Sequence, residues 1–502
     1  MTIVGGTLQG LRRDVLPHGG VFLGIPFAAQ PVGDLRWKAP QAPRPWHGIR
    51  QASEYGAACP QRPSPWLPEM LGVQKMETDE ACLYLNVWTP ELDPKAKLPV
   101  FVWVHGGGNV EGSGEWPPLG ETLAERSVVV VSFNYRLGAL GFLAGPELAS
   151  ESIHHVSGNY GHLDQLAALR WVHQNIARLG GDPDQVTIGG QSSGSLDVCN
   201  LMASPLSAGL FERAVLQSGV CVDSVYPDAR DAEVNSERLE KDLGISPGPA
   251  ALKALRALPA DRIFKAAADD PKIDLEPVVD GWVLPLQPAI TFAEGKQAII
   301  PVLVGSNEDE VSIFASPIVG GKSWRPGTVA AYREWLHNRF KTDADAVFAQ
   351  YPARLESEAR GVFETMDTDF DFGFGAWLLA NDTARIGQRA FLYHFTYVGA
   401  GEFAGLGAFH SEESMFLSRK YWTSWNSRPH DPVLSDAIVG YWARFIKTGN
   451  PNGPSSPVWP AWRPDGLCQE LGLRIGSERV PRAQRFTVFQ YYLTSRLQKT
   501  MH

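Results

Sequence analysis

Short apolar segments of strand length alternate with helical patterns along most of the chain. Residues 100–104 and 128–133 are apolar and rich in β-branched side chains, as expected of buried strands. Residues 163–179 repeat apolar side chains at helical spacing, and Gly180-Gly181 marks where that helix ends. Such alternation is typical of a mostly parallel sheet with helices on both faces. The sequence therefore predicts an α/β fold with one large central sheet.

The rest of the chain fits the same architecture as one domain spanning residues 1–502. Further strands are expected at residues 185–189, 299–304 and 391–398, and helices at residues 329–348 and from Asp431-Pro432 to Gly449. Residues 222–298 are mainly helical in pattern and are expected to be an insertion that covers one end of the sheet. No repeat, low-complexity tract or Gly/Ser linker divides the sequence.

The most informative local motif is Gly190-Gln191-Ser192-Ser193-Gly194, which directly follows the expected strand at 185–189. G-x-S-x-G alone is a weak pattern, and a simple Gly/Ser loop is its alternative. Between a strand and a helix it predicts a nucleophile elbow, a tight turn that exposes a serine hydroxyl and crowds any Cβ at the flanking glycines. We therefore interpret Ser192 as a nucleophile.

A second glycine-rich segment, His105-Gly106-Gly107-Gly108, follows the expected strand at 100–104. Glycines let backbone N–H groups approach a ligand closely, as an oxyanion hole requires. A phosphate-binding loop is the alternative, but no Lys-Ser/Thr follows and Glu111 adds negative charge. Together with the elbow, the expected oxyanion donors are the amides of Gly107, Gly108 and Ser193.

A nucleophilic serine needs a histidine base and an acid that orients it, and in α/β-hydrolases both follow the serine. Of the five later histidines, His410 follows an expected strand after a glycine-rich loop, where the base of this fold belongs. The others lie in a helical pattern, in mid-strand, in a polar turn and at the last position: His337, His394, His430 and His502. Three adjacent carboxylates, Glu308, Asp309 and Glu310, are candidates for the acid, and spacing does not choose among them.

Five blocks occur in order along the chain: Gly24-Ile25-Pro26, Cys82-Leu83-Tyr84-Leu85-Asn86-Val87, Asn134-Tyr135-Arg136-Leu137-Gly138, Gly158-Asn159-Tyr160-Gly161 and Gly449-Asn450-Pro451-Asn452-Gly453. Together with the elbow they resemble the type-B carboxylesterase/lipase family, which includes bacterial p-nitrobenzyl esterases and the animal carboxylesterases and cholinesterases. The resemblance implies the α/β-hydrolase fold and a serine carboxylesterase that needs no cofactor. It implies Ser192 as nucleophile, His410 as base and Glu310 as acid.

The resemblance also implies that Ser218, in Gln217-Ser218-Gly219, hydrogen-bonds near the triad. One position departs from the family, because the residue before the nucleophile is usually Glu and is Gln191 here. A neutral amide removes a buried negative charge near His410, which weakens any case for a cationic substrate.

Composition and charge argue against several other classes of protein. The formal charge is −10, from 45 Lys and Arg against 55 Asp and Glu, which disfavours binding to a nucleic-acid backbone. No apolar run approaches the ~18 residues of a membrane span, and no His/Cys cluster has metal-ligand spacing. The expected partner is a small-molecule ester, with no metal, nucleic acid or membrane span, and the oligomeric state is left open.

The N-terminal segment lacks a basic region followed by an apolar core, so we expect a cytoplasmic protein. Whether Cys59 and Cys82 form a disulfide there is left open. Cys199, Cys221 and Cys468 are expected to be separate buried side chains.

Two alternatives accompany the esterase hypothesis. One is a true lipase of the same fold; the other is a non-catalytic, cholinesterase-like binding module that has lost the triad, although all three residue types are present here. Five aromatic residues are candidates to line the substrate site: Trp66, Trp116, Phe314, Phe372 and Phe374. They suit aryl or alkyl esters, and core packing is the alternative for each. The substrates that we expect are esters with short to medium acyl chains and bulky alcohols.

Overall fold

Ten strands form one large mixed sheet in the computed structural model, which describes residues 1–62, 76–116, 118–248, 250–316, 324–422, 425–454, 456–464 and 466–500. The described strands, which belong either to this sheet or to a second, small one, are β1 (Thr2–Ile3), β2 (Gly6–Gln9), β3 (Gly20–Pro26), β4 (Ile49–Gln51), β5 (Tyr84–Thr89), β6 (Leu98–Val104), β7 (Val129–Phe133), β8 (Gly181–Gln191), β9 (Arg213–Gln217), β10 (Val302–Asn307), β11 (Ala390–Phe395), β12 (Leu467–Leu471) and β13 (Ile475–Arg479). β1, β2 and β4 form a separate small sheet.

The order across the large sheet is β13-β12-β11-β10-β9-β8-β6-β7-β5-β3. All neighbours from β12 to β7 pair in parallel, whereas β13 at one edge and β5 and β3 at the other pair antiparallel. A parallel centre with crossover helices is the expected α/β arrangement, so the predicted fold class is confirmed.

Helices lie on both faces of the sheet. They are α1 (Gly120–Ala124), α2 (Gly138–Phe142), α3 (Pro146–Glu151), α4 (Tyr160–Asn175), α5 (Ser193–Ala203), α6 (Ala229–Asp242), α7 (Ala251–Ala257), α8 (Ala260–Asp269), α9 (Pro288–Ala293), α10 (Val329–Phe340), α11 (Ala344–Gln350), α12 (Ala359–Thr368), α13 (Phe374–Arg385), α14 (Glu412–Ser418), α15 (Asp431–Thr448) and α16 (Thr487–Thr500). None of the helices described is long and apolar enough to cross a membrane.

Strand β6 shows how the two faces are separated. Val100, Val102 and Val104 belong to one apolar core, which also contains the buried sides of α4 and α5. Phe101 and Trp103 belong to a second core, built against α15. Because successive side chains of a strand point to opposite faces, a strand buried on both sides is apolar throughout, as this one is.

Several predicted boundaries are wrong: the strand expected at 391–398 ends at Phe395, the strand expected at 185–189 begins at Gly181, and two further differences have a clear local cause. The helix expected at 329–348 is divided, because Lys341 adopts a φ of 53°, which a right-handed helix cannot continue through. The strand expected at 299–304 begins at Val302 and runs to Asn307, and Ile299 is 67% exposed. Pro301 precedes the strand, since its missing N–H cannot join the ladder. Within residues 222–298, the structure has the four helices α6 to α9.

Two disulfides join four of the five cysteines. Cys59 pairs with Cys82, the bridge that the sequence left open. Cys199 pairs with Cys221, which corrects the expectation that both are separate thiols. The reason is tertiary: Cys199 lies in α5 and Cys221 follows β9, and the packing of α5 beside β9 brings their Cα atoms within 5.5 Å. Cys468 remains a free, buried thiol.

Candidate active site

Ser192 lies in the sharp turn between β8, which ends at Gln191, and α5, which begins at Ser193. Its φ is 59° and its ψ is −131°, an unusual backbone conformation for a residue with a side chain. A Cβ at Gly190 would overlap the backbone of Gly194, and a Cβ at Gly194 would overlap the Val104 carbonyl. The glycines of the motif therefore permit the turn that the sequence predicted.

His410 and Glu310 are joined by a short hydrogen bond at the carboxyl edge of the sheet. Nδ1 of His410 lies 2.5 Å from Oε2 of Glu310, and the Glu310 carboxylate is fully buried. Its other oxygen accepts a hydrogen bond from the backbone amide of Asn307 (2.7 Å). Asp309 points elsewhere, because its carboxylate accepts from the backbone amide of Ala408 (2.9 Å). Of the adjacent carboxylates, the structure brings Glu310 to the histidine.

The opposite ring nitrogen of His410 meets the residue before the nucleophile. Nε2 lies 3.0 Å from the side-chain nitrogen of Gln191. Since Nδ1 donates to Glu310, the neutral ring has its lone pair on Nε2, and an amide N–H can donate to it. Ser192, Gln191 and His410 are all among the described residues, and no hydrogen bond joins Nε2 of His410 to the Ser192 hydroxyl.

The glycine-rich loop after β6 lies directly beside the nucleophile. A Cβ placed on Gly106 would come within 3.0 Å of Ser192 Cβ. Gly107 and Gly108 have φ of 111° and 63°, a region that glycine adopts at no steric cost. Within the described part of the chain, their amides donate to no protein acceptor. They are thus available, with the amide of Ser193 at the start of α5, to bind an anionic oxygen.

Two of the five candidate aromatic residues contact His410. The rings of Phe314 and Phe372 each lie 5.1 Å from the His410 ring. Phe374 is buried in a separate aromatic cluster, and Trp116 is also buried. Trp66 lies outside the described residues.

A cavity of about 660 Å³ opens beside the oxyanion loop. Its wall nearest the nucleophile includes Gly108, Asn109, Ser193 and Leu196. This volume is within the usual range for small-molecule sites. The described residues contain no group of three or more His, Cys, Asp or Glu side chains that could hold a metal ion.

Ser218, which was expected to hydrogen-bond near the triad, directly follows β9. It is buried, and its backbone amide donates to the carbonyl of Gly305 (2.9 Å). Its φ is 52°, and its side chain interacts with that of Tyr393.

Sequence reasoning missed Asn307, the last residue of β10. Its backbone N–H donates the hydrogen bond to Glu310 described above. Its side-chain nitrogen donates to the carbonyl of Phe409 (2.7 Å) and to the carboxylate of Glu413 (2.8 Å). It therefore ties the acid-bearing strand to the segment that carries His410. An asparagine at the carboxyl end of a parallel strand, three residues before the acid, is the signal that could have identified it.

Burial and nearby charge shift the pKa values of other groups around the site. Burial lowers the pKa of His105, next to the oxyanion loop, to about 4, so its ring is neutral near pH 7. Burial, with the nearby charge of Glu310, raises the pKa of Glu413. A second full negative charge beside the acid is therefore disfavoured.

A model of the carboxylesterase family matches residues 1–486. The fumonisin B1 esterase of Sphingopyxis macrogoltabida is 37% identical over 501 residues, which cover 94% of this chain and 86% of that protein. Carboxylesterase 1C of Mus musculus is 33% identical, over 95% of this chain and 88% of the mouse protein.

Two solved structures of similar proteins share the fold. A PNB esterase superposes with a TM-score of 0.82 at 31% identity, over 97% of this chain and 99% of the other. A Geobacillus stearothermophilus carboxylesterase superposes with a TM-score of 0.78 at 30% identity, over the same fractions. The fold is therefore that of these α/β-hydrolase esterases.

Proposed function

Because the chain belongs to the carboxylesterase family and is a carboxylic-ester hydrolase, we propose that Ser192, His410 and Glu310 are its catalytic triad. The observation that carries this proposal is the hydrogen bond between His410 Nδ1 and buried Glu310, next to a serine held in a strained elbow. This combination of acid, base and nucleophile is the one required for acyl transfer through a covalent intermediate.

In the acylation step, the Ser192 hydroxyl attacks the ester carbonyl carbon while Nε2 of His410 accepts its proton. Glu310 holds the ring with Nδ1 protonated and stabilises the imidazolium that forms. The negative charge on the carbonyl oxygen is stabilised by the amides of Gly107, Gly108 and Ser193. Collapse of the tetrahedral intermediate breaks the ester bond, and His410 donates its proton to the departing alcohol.

In the deacylation step, water takes the place of the alcohol. His410 accepts a proton from the water as it attacks the acyl-enzyme, and the same amides stabilise the second tetrahedral intermediate. The proton then returns from His410 to Ser192, and the carboxylic acid is released. Every proton transfer passes through Nε2, so the Gln191 amide must leave that lone pair during turnover.

Replacing the nucleophile tests the triad. Ser192→Ala should lower kcat on p-nitrophenyl acetate on the order of 10⁵-fold or more while leaving the melting temperature close to wild type. A serine-directed organophosphate should leave one adduct, on the peptide that contains Ser192. Ser207→Ala is a matched control, since that buried hydroxyl donates only to the backbone carbonyls of Leu201, near the end of α5, and Ser204, just after it. An adduct on Ser193 or Ser195, or an active Ser192→Ala, would refute the assignment.

For the substrate, we propose esters with short to medium acyl chains and bulky alcohols. The two phenylalanine rings beside His410 and the 660 Å³ cavity by the oxyanion loop support this class. A kinetic panel should vary the acyl chain and the alcohol independently and should include fumonisin B1, because a relative bears that name. A preference for acyl chains longer than about ten carbons would overturn the proposal, and activity rising above the solubility limit of the substrate would favour a lipase.

A further inference from the structure

A buried hydrogen-bonded cluster, centred on Asp197, lies beneath the oxyanion loop. Asp197 is in α5, the helix that begins after Ser192, and its side chain is fully buried. Its Oδ1 accepts from the Asn109 side-chain nitrogen (3.0 Å) and lies 3.1 Å from His162 Nε2. Its Oδ2 accepts from the side-chain nitrogen of Gln165 (2.6 Å). Both oxygens of this carboxylate therefore have donors on other elements.

Asn109 connects this cluster to the oxyanion loop, since it directly follows Gly108. Its backbone amide donates to the Ser193 hydroxyl (3.1 Å), and its carbonyl accepts from the amide of Gly138 (2.7 Å). Its side-chain oxygen accepts from the Tyr135 hydroxyl (3.0 Å). With the bond to Asp197, all four polar groups of Asn109 are paired.

The backbone of Asn109 needs such support. Its φ is 58°, a left-handed conformation that costs a residue with a Cβ some free energy unless its surroundings fix it. Hydrogen bonds to an ionised, buried carboxylate are stronger than neutral ones, and removing one partner leaves the others unpaired in a dry site. The carboxylate of Asp197 is thus one of four partners that fix the position of Asn109, and with it the preceding glycine amides.

We propose that Asp197 is a positioning residue for the oxyanion hole, which it holds in donor geometry through Asn109. The inference rests on the proposed function, because it assigns a cause to the placement of the Gly107 and Gly108 amides. Oxyanion stabilisation depends on donors that are fixed before reaction, so a loosened loop lowers kcat more than it weakens substrate binding.

The first test is Asp197→Asn, which keeps the size of the side chain but turns one acceptor into a donor facing other donors. We expect kcat per active site to fall by about 10- to 100-fold, with KM changed less than about threefold. Active sites should be counted by titration with a p-nitrophenyl phosphonate, so that misfolded protein does not enter the comparison. A kcat per titrated site equal to wild type would overturn the inference.

A matched control is Asp164→Asn. Asp164 is equally buried, but its carboxylate binds Arg136 (2.7 Å and 2.8 Å) and has no bond to the oxyanion loop. This variant should lose stability and keep kcat per titrated site. If both variants lose kcat equally, the effect is general destabilisation and the inference fails.

The pH profile separates the oxyanion hole from the base. Asp197→Asn should lower kcat/KM by the same factor at every pH, because it leaves the His410–Glu310 pair untouched. A displaced pH limb would mean that Asp197 acts on the base, contrary to the proposal.

A second variant keeps the test decisive if Asp197→Asn does not fold. Asn109→Gly deletes the link and adopts the positive φ without strain, and it should lower kcat to a similar extent. The double variant should lose no more than the larger single loss, since both changes break one link. Wild-type kcat in Asn109→Gly, or fully additive losses, would refute positioning through Asn109. Activity surviving in Ser192→Ala would instead refute the proposed function.

Discussion

The side-chain nitrogen of Gln191 donates a hydrogen bond (3.0 Å) to Nε2 of His410, the ring nitrogen that accepts the proton of Ser192 in the proposed mechanism. A neutral amide at this position donates its N–H to the lone pair on Nε2 of the unprotonated ring. A carboxylate would instead favour the protonated ring, because an opposite charge at hydrogen-bond distance stabilises the imidazolium. The residue before the nucleophile therefore helps to set the pH range in which the base is available.

Replacing Gln191 by Glu should move the acidic limb of kcat/KM to higher pH by roughly one to two units. The sign follows from the charge: the carboxylate stabilises the protonated ring, so a higher pH is needed to free Nε2. Gln191→Met is the control of similar size, with neither charge nor donor, and its limb should not move upward. A limb that stays in place in Gln191→Glu would contradict the observed contact.

The two adjacent carboxylates should differ sharply when each is neutralised. Glu310→Gln should lower kcat on the order of 10³- to 10⁴-fold, because the imidazolium loses its buried counter-charge. Asp309→Asn should cost less than about threefold, since the amide oxygen can still accept from Ala408. Steady-state kinetics on both purified variants decides the question, and the reverse ranking would mean that the third member of the triad is misassigned.

Alanine substitutions at Gly107 and Gly108 in the oxyanion loop should affect folding and kcat differently. A Cβ on Gly107 would overlap the Glu111 carbonyl, so Gly107→Ala should disturb the loop and lower the melting temperature as well as kcat. A Cβ on Gly108 meets only a Val110 methyl at 3.7 Å, so Gly108→Ala should fold. Strain at its φ of 63° should still displace the donor and lower kcat about 100-fold or more. Wild-type kcat in both variants would remove the loop from the mechanism.

Stability should fall on the alkaline side through His394, which lies in β11. Burial disfavours its charged form, but hydrogen bonds with Glu308 and Glu478 (2.8 Å each) outweigh burial and raise the pKa of His394 from 6.5 to about 9. The contribution of His394 to the free energy of unfolding is on the order of 3 kcal/mol. It is therefore complete below pH 6.5 and is lost as the pH rises through about 9.

Urea unfolding at about pH 6 and about pH 9.5 measures this difference. His394→Gln, which cannot be charged, should flatten the pH dependence over that interval. An equally steep fall in the variant would assign the effect to other groups.

The sequence predicted what depends on neighbours along the chain. Ser192, Gly107 and Gly108 are identified by motifs that combine a strand end with a turn, and the structure places them together because parallel strands β6 and β8 end at the same edge. His410 could be found from its loop, and Glu310 only through resemblance to the family, since spacing treats Asp309 alike.

What the sequence did not reveal depends on distant contacts. Asn109, His162 and Asp197 come from three separate segments, and only the packing of α4 and α5 behind the oxyanion loop brings them together. Each is an ordinary polar residue in its own segment. The break at Lys341 was missed because its positive φ lies within what the sequence shows as one continuous amphipathic helical pattern.

The disulfide between Cys199 and Cys221 closes a covalent ring of residues 199–221 beside Ser192. Cys199 lies in the helix that starts after Ser192, and Cys221 follows Gly219, whose backbone packs against Ser192. The ring thus contains the last residues of α5, all of β9, and Gly219, which lies against the backbone of Ser192. Protein with this disulfide reduced and protein with it formed would share one sequence, but the backbone beside Ser192 would be cross-linked in only one of them. The redox state of Cys199 and Cys221 therefore distinguishes two chemical forms of the same chain.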